Sequence, residues 1–212
     1  MKTGTKSVLF GVHCFFIHPW FVAIGWWKLY GFPFDPRLWV AFFVHDLGYF
    51  GCENMDDAKG ERHVEWGARL MARWFDRGQT STLWVELSDD VSQGVPLGYW
   101  GELCLFHSRF YAKKYKHLPS RLCYADKLVP SLEPWWIYLP RAWASGELWE
   151  YLSMAGGRDG GKYAGEPNSA AVQAHLNGTR WRDWYNGMAL FSKEYAYAHK
   201  DGGVDSWTRG DR

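Results

Sequence analysis

Histidine and aspartate side chains occur at six positions whose surroundings are mainly apolar. The clearest is the adjacent pair His45-Asp46, which follows an apolar run and precedes Gly48. Both side chains are costly to bury unless they have partners. Imidazole nitrogen and carboxylate oxygen are both donors to first-row metal ions, so a bound metal satisfies the two together. For the pair alone, a helix end with a satisfied core His and a capping Asp is the favoured explanation, and the other four residues reverse this preference.

Those four residues fall on separate predicted helices or helix ends. In chain order they are His18, His63, His107 and Asp126. With the pair they give the order H…HD…H…H…D, and a helical bundle can bring such widely spaced side chains to one interior point. The donor set is nitrogen and oxygen without thiolate. It predicts one or two divalent transition metals (Mn, Fe, Co, Ni or Zn) and argues against Mg alone.

Several of these positions have an alternative. His13 competes with His18, and His117 competes with His107. Arg62 and Glu65 flank His63, which is compatible with a solvent-facing helix residue. Asp126 could instead cap a helix or pair with Lys127.

The size and charge of the chain limit the classes of protein to which it can belong. The 212 residues suit one domain, and the net charge of +1 predicts no stable nucleic acid complex and no membrane partner. Residues 8–27 contain no Asp, Glu, Lys or Arg, but His13, His18 and Pro19 interrupt them, which favours a buried helix over a membrane span. The four cysteines lack a C-x-x-C spacing, so reduced thiols in a cytoplasmic protein are expected.

The hydrophobic pattern is helical nearly throughout, which predicts an all-α fold. We expect a helical core over residues 1–155, followed by a loop, a C-terminal helix packed on the core and a polar tail over 156–212. Helix signals such as Pro19, Gly31 and the cap at Asp35 set several boundaries. The predicted helices span about 18–30, 36 through His45-Asp46, 60–77, 81–92, 99 through the lysines at 113–116, 121–128, 134–153 and 168–196.

The order of these six residues along the chain resembles the pattern of the HD-domain superfamily of metal-dependent phosphohydrolases. His45-Asp46-Leu47-Gly48 looks like the signature pair of that family, and the helices that begin near His63 and His107 resemble those that carry its third and fourth histidines. Ala125-Asp126-Lys127-Leu128 resembles its closing aspartate segment. The match covers roughly residues 12–130.

The resemblance implies an HD-domain helical bundle with two metals in its core. His18, His45, Asp46 and Asp126 would hold one metal. Asp46 would bridge to a second metal, held by His63 and His107. Two neighbouring metals can activate a water and polarise a phosphoryl oxygen, which predicts a phosphohydrolase that cleaves a phosphate ester or anhydride of a small nucleotide.

A phosphate substrate needs further positive charge near the metals. Arg109 and Lys127 follow proposed ligands closely and are the predicted catalytic cations. Lys113 and Lys114 follow on the helix of His107 and are predicted to bind substrate, as is Tyr49, which occupies the third position after Asp46. Glu53, Asp56, Asp57 and Glu61 could accept a proton from water or form a solvated loop.

The sequence also departs from one branch of the family. Cyclic-dinucleotide phosphodiesterases usually carry Lys at the position of Tyr49 and a second His after the one at 107, where this chain has Ser108. Other readings of the same ligand order are a mixed-valence diiron oxygenase, of the myo-inositol oxygenase or phosphonate-cleaving type, and a non-catalytic nucleotide-binding module. A homo-oligomer is also expected, since relatives often pair.

Overall fold

A computed structural model of the chain describes residues 1–53, 55, 60–78, 83–85, 95–155 and 181–202. These residues form an all-α fold, as predicted. The helices are α1 (Thr3–Phe10), α2 (His18–Tyr30), α3 (Pro36–Val44), α4 (His63–Phe75), α5 (Tyr99–Leu105), α6 (Arg109–Lys114), α7 (Arg121–Leu132), α8 (Trp135–Ser145), α9 (Glu147–Ala155) and α10 (Trp181–His199). Single 3₁₀ turns occur at Leu47–Tyr49 and Gly60–Arg62.

The predicted boundaries around the His-Asp pair are confirmed to within two residues. α2 starts at His18 with a proline in its first turn and ends before Gly31, whose φ of 91° suits glycine. The Asp35 side chain accepts from the Arg37 amide and caps α3. That helix ends at Val44, so His45 and Asp46 lie at its C-terminal end and not within it.

Three predicted helices differ from the structure. The helix expected at 134–153 is divided into α8 and α9 at Gly146, whose φ is 96°. Within the helix expected at 81–92, Leu83–Val85 instead forms strand β1, which pairs antiparallel with β2, Val95–Leu97, and the other residues of that prediction lie outside the described part of the chain. The helix expected from residue 99 is interrupted at residues 106–108, between α5 and α6. α10 begins at Trp181, and the rest of the segment predicted at 168–180 lies outside the described residues, as does the loop at 156–167.

The main core lies between α2, α3, α4, α5 and α7, and it surrounds the His and Asp residues. Fully buried side chains from five helices form it, among them Val22, Phe42, Met71, Leu105 and Leu122. α10 packs against α7 through a smaller cluster that includes Leu128 and Tyr195. A third cluster joins α8, α9 and α10 beside Val12.

The apolar segment at 8–27 is divided between the end of α1, a set of turns and most of α2. Within the described residues, every helix is too short or too polar to cross a membrane. All four cysteines fall in that part of the chain, and none is in a disulfide.

Three glycines allow the site-bearing elements to approach one another closely. A Cβ at Gly25 of α2 would lie 2.5 Å from the Ala125 carbonyl oxygen of α7. A Cβ at Gly48 would lie 1.9 Å from the His63 carbonyl oxygen, and one at Gly67 would lie 2.7 Å from that of Val44. These neighbours are backbone atoms, which cannot rotate away. The glycines therefore set how near His18, His45 and His63 come to each other.

We predict that Gly25→Ala lowers the free energy of unfolding by about 1–3 kcal/mol, because the methyl group forces α2 away from α7. In an uncrowded helix the same change would stabilise by up to about 1 kcal/mol. Urea unfolding followed by circular dichroism measures the difference. Ile24→Ala, at an exposed neighbouring position of α2, is the control and should cost less. A stabilising effect of Gly25→Ala would contradict the close approach.

Candidate metal centre

The structure brings all six predicted ligands into one buried cluster. His18 and Asp126 come from α2 and α7, the pair His45-Asp46 follows α3, and His63 begins α4. His107 lies in the break between α5 and α6, where the chain turns its side chain into the core. The four histidines and Asp46 are each less than 8% exposed.

Asp46 lies at the centre of this cluster and divides it into two groups. Its Oδ2 atom lies 3.2 Å from His18 Nε2 and 3.1 Å from His45 Nε2. Its Oδ1 atom lies 3.7 Å from His63 Nε2 and 3.3 Å from His107 Nε2. Asp126 Oδ1 belongs to the first group, 3.1 Å from His18 Nε2. Within each group the donor atoms lie within 4.8 Å of one another, so each can hold a metal ion.

Three of the histidines are oriented by hydrogen bonds to the backbone. His45 Nδ1 lies 2.9 Å from the Phe42 carbonyl oxygen, His63 Nδ1 lies 2.7 Å from that of Gly60, and His107 Nδ1 lies 2.6 Å from that of Cys104. A carbonyl oxygen only accepts, so each Nδ1 carries the proton. Each neutral ring then presents the lone pair of Nε2 to the cluster, which is the tautomer a metal ligand needs.

His63 and His107 show why a cation fits between them. Their Nε2 atoms lie 3.1 Å apart. With both Nδ1 atoms donating to carbonyl oxygens, two neutral rings would point lone pairs at each other. Either a proton or a metal ion between the two nitrogens removes this repulsion. Because Asp46 Oδ1 faces the same point, a metal ion would use all three donors.

The first group contains buried polar atoms that make no hydrogen bond. They are both ring nitrogens of His18, Nε2 of His45 and Oδ2 of Asp46. The Nε2 and Oδ2 atoms lie within 3.1–3.2 Å of each other, yet the angles are wrong for hydrogen bonds. Buried polar groups rarely stay unsatisfied. Nitrogen and oxygen lone pairs that converge on one point suit a transition-metal ion. These residues therefore fit the metal that their chemistry predicts.

The charges of the cluster shift its pKa values in opposite directions. Burial lowers the pKa of His45, but the negative charges of the nearby Asp46 and Asp126 carboxylates raise it to about 10. Burial also lowers the pKa of His18, but the nearby carboxylates of Asp126 and Asp46 outweigh this effect and raise it. Burial and the neighbouring His107 hold the pKa of His63 well below its usual range.

Both aspartates remain ionised. Burial would raise the pKa of Asp46, but the charge of His45 and the surrounding imidazoles hold it well below its ordinary value. Burial would also raise the pKa of Asp126, but the close imidazoles of His18 and His45 and the charge of Lys127 keep it well below its ordinary value. Carboxylates held ionised in this way favour a neighbouring cation, either a protonated imidazole or a metal ion.

The competing histidines lie outside the cluster. His13 Nδ1 lies 2.9 Å from Ser7 Oγ and 3.2 Å from Glu147 Oε1, and its ring lies 5.3 Å from that of His18. His117 is exposed and stacks on Phe106.

The predicted substrate residues occupy different environments. The Tyr49 ring stacks on His63 at 3.9 Å, and Lys127 Nζ lies 3.9 Å from Asp126 Oδ2, so both adjoin the cluster. Arg109 is buried, with its guanidinium over the Tyr195 ring of α10. Lys114 lies over the rings of Tyr111 and Tyr115, which points to a role in packing α6. Lys113 is half-buried on the same helix.

The acidic residues near the pair are dispersed. Glu53 is exposed and pairs with Lys2, whereas Glu61 accepts from Ser108 Oγ. Asp56 and Asp57 lie outside the described residues.

A cavity of about 500 Å³ beside the pair was not predicted from the sequence. Its lining consists of Leu47, Gly48, Phe50, Arg62, Glu65, Trp66 and Arg69. The α4 residues among them recur at helical spacing, which could have indicated a shared face. Glu65 lies at the centre of that face: it accepts from Tyr111 Oη at 2.5 Å and pairs with Arg62 and Arg69. The cavity therefore combines aromatic and guanidinium groups next to the cluster.

A second buried network was also missed. The Glu147 carboxylate accepts from Ser7 Oγ, the Val12 amide and Ser145 Oγ. It also holds the His13 ring beside His18, because His13 Nδ1 lies 3.2 Å from Glu147 Oε1. Burial alone would raise the pKa of Glu147, but these hydrogen bonds keep it below its ordinary value. Glu147 lies 134 residues from His13 in sequence, and no local pattern links the two.

No protein-family model, no curated protein and no solved structure matches this chain. The assignment of the centre therefore depends on its own geometry.

We predict that the stability of the metal-free chain falls with rising pH, whereas the stabilisation gained from added metal grows. The pKa of His45 is raised above its unfolded value of 6.5 to about 10. Its contribution to stability is therefore complete below pH 6.5 and is lost as the pH rises toward 10. Metal ions compete with protons for the same nitrogen, so stabilisation by added Mn²⁺ or Zn²⁺ should grow over that range.

Thermal unfolding with and without a chelator checks both slopes. The His45→Gln variant is the control, and its metal-free Tm should fall less steeply between pH 6.5 and 10. A variant slope equal to that of the wild type would contradict the assignment.

Proposed function

We propose that this chain is an HD-type, metal-dependent phosphohydrolase that cleaves a phosphate ester or anhydride of a small nucleotide. The proposal includes the HD-domain arrangement of the bundle, and Mn, Fe, Co, Ni or Zn as the metal. The order of the six ligands along the chain and the buried donor set support it.

One observation carries the proposal: the Asp46 carboxylate faces one set of donors with each oxygen. Oδ2 faces His18 and His45, and Oδ1 faces His63 and His107. A carboxylate shared in this way suits two adjacent metal ions. When bound, such ions supply a nucleophilic water and offset the charge that develops on a phosphoryl group.

Residues around the cluster would bind the substrate and hold the ligands in position. Lys127 lies beside Asp126 and is 36% exposed in its side chain, so its ammonium can meet a phosphate at the edge of the cluster. Tyr49 covers one face of His63 and keeps the ring in place. Arg109 is the less suitable of the two predicted cations, because its guanidinium packs under Tyr195.

The cavity next to Gly48 would receive the rest of the nucleotide. Phe50 and Trp66 are exposed there and offer flat apolar surfaces to a base. Arg62 and Arg69 provide planar donors that match phosphate or sugar oxygens. Glu65 holds both guanidinium groups in position.

The main test is release of phosphate or pyrophosphate from a panel of nucleotides, with added Mn²⁺, Co²⁺ or Fe²⁺. We expect release that depends on the metal and falls at least about 10³-fold in Asp46→Ala, because both metal sites lose a shared ligand. Asp76→Asn is the control: this buried carboxylate caps α5 and has no part in the centre. Silence across the panel from a metal-loaded chain that consumes oxygen with iron would favour the diiron oxygenase.

Lys127 gives a second test. Lys127→Gln should lower kcat/KM about 10–100-fold, as expected when a charge-assisted contact to phosphate is lost. Lys114→Gln is the matched control and should stay within about twofold of the wild type, since that lysine lies on the tyrosines of α6. Equal effects of the two changes would refute a special role for Lys127. Steady-state kinetics on the best substrate of the panel measures both.

Trp66 tests the cavity. Trp66→Ala should raise KM for the nucleotide several-fold and leave kcat unchanged, because stacking on the base stabilises substrate and transition state alike. Trp74→Ala, at a comparably exposed position of the same helix, is the control. An unchanged KM in Trp66→Ala would exclude this cavity as the base site.

A further inference from the structure

His18 differs from the other three histidines of the centre at its outer nitrogen. His45, His63 and His107 each direct Nδ1 at a backbone carbonyl oxygen within 3 Å. His18 Nδ1 is buried and makes no hydrogen bond. With Nε2 facing the two aspartates as a metal ligand, Nδ1 carries the proton and needs an acceptor. Ligating histidines usually donate this proton to a carboxylate or a carbonyl oxygen.

Glu133 has a buried carboxylate oxygen that lacks a hydrogen-bond donor. The residue caps the C-terminal end of α7 and is 2% exposed. Its Oε1 atom pairs with the Arg141 guanidinium, which also donates to the Gly11 carbonyl oxygen at 2.7 Å. Its Oε2 atom is buried and accepts no hydrogen bond. One carboxylate oxygen is therefore used by the ion pair, and the other has no donor.

The packing of α2 against α7 brings these two atoms to the same end of the helix pair. Arg121 at the start of α7 lies over the Tyr30 ring at the end of α2, and Gly25 packs against Ala125. The helices are therefore antiparallel. From this crossing, His18 lies seven residues back along α2 and Glu133 eight residues forward along α7. Both steps cover about 10–12 Å of helix, so the two residues lie toward the same end of the helix pair.

The same face of α7 carries both acidic residues. Asp126 and Glu133 are seven residues apart, close to two helical turns. Asp126 touches His18 Nε2 at 3.1 Å. Burial raises the pKa of Glu133, and among the charges that lower it are those of Arg141, His18 and His13. The charge of His18 thus reaches this carboxyl group. His13 is the other imidazole nearby, but Ser7 and Glu147 hold its Nδ1 atom.

We propose that Glu133 is the outer partner of His18: Oε2 accepts the Nδ1 proton, directly or through one bound water, and so orients His18 as a metal ligand. Glu133 is then a positioning residue, since it acts on the metal through His18. Arg141 holds the carboxylate in place from the other side. This inference depends on metal binding by the cluster and is independent of the reaction catalysed there.

The direct test is metal affinity. Full-length protein is stripped with a chelator and titrated with Zn²⁺ and with Co²⁺ by calorimetry. Glu133→Gln keeps an oxygen acceptor but removes its charge, and it should weaken one of the two metal sites about 10–100-fold. The Co²⁺ absorption spectrum of that site should also change. The site of His63 and His107 should keep its affinity.

Asp76→Asn is the matched control, because it neutralises another buried carboxylate at a helix end, one that accepts from the Gly98, Trp100 and Gly101 amides and has no part in the centre. It should lower Tm and keep both metal affinities within about twofold. If Glu133→Gln does not fold, the double variant Glu133→Gln/Arg141→Gln removes both buried charges and takes its place, with the same expected loss of affinity.

Two results would overturn the inference. One is wild-type metal affinity and an unchanged Co²⁺ spectrum in folded Glu133→Gln or the double variant. The other is an equal loss of affinity in Asp76→Asn. Loss of phosphate release with normal metal binding concerns only the proposed function, so the two failures can be told apart.

Discussion

The shared carboxylate of Asp46 is the constraint on which the rest of the structure depends. It is buried among four imidazole nitrogens at 3.1–3.7 Å, and none of these groups can be moved to water without unpacking a helix. A buried carboxylate of this kind is tolerable only with positive charge beside it. In the metal-free chain, protons on His18 and His45 can supply that charge, because the carboxylates raise the pKa of both imidazoles. Metal ions would replace those protons and supply more charge to both oxygens.

The fold is arranged to bring the donors of this cluster close together. α2 and α7 meet where Gly25 leaves room for the Ala125 backbone, which sets His18 against Asp126. Gly48 lets the turn after the pair rest on the first residue of α4, which sets His63 near Asp46. The break between α5 and α6 supplies His107. The large apolar core fills the space between these same helices, so packing energy and ligand geometry depend on each other.

Much of the ligand set could be predicted from the sequence, because His and Asp on apolar helix faces are conspicuous. The starts of α2 and α3 could also be predicted, because Pro19, Asp35 and Pro36 are strong local signals for a helix start. The structure places His18 in the cluster and His13 outside it, where Ser7 and Glu147 hold its Nδ1 atom.

Other features had no local signal. The strand at Leu83–Val85 follows Thr80 and Ser81, whose types indicate a helix start, and neither three-residue strand is long enough to show an alternating pattern. The apolar positions from Leu103 to Phe110 give a continuous helical pattern without Gly or Pro, so the break at His107 was not predicted. The roles of Glu133 and Glu147 depend on partners far along the chain. Sequence also could not tell that Arg109 would pack under Tyr195 while Lys127 stays at the edge of the cluster.

The most direct test of this account is anomalous diffraction from crystals of the chain grown with Mn²⁺ or Zn²⁺. The account predicts two anomalous peaks on either side of the Asp46 carboxylate. One should lie within coordination distance of His18, His45 and Asp126, and the other within that of His63 and His107. Crystals of Asp46→Ala should lose or weaken both peaks. A structure at saturating metal with no peak beside Asp46, or with Asp46 bound to neither ion, would contradict the central claim.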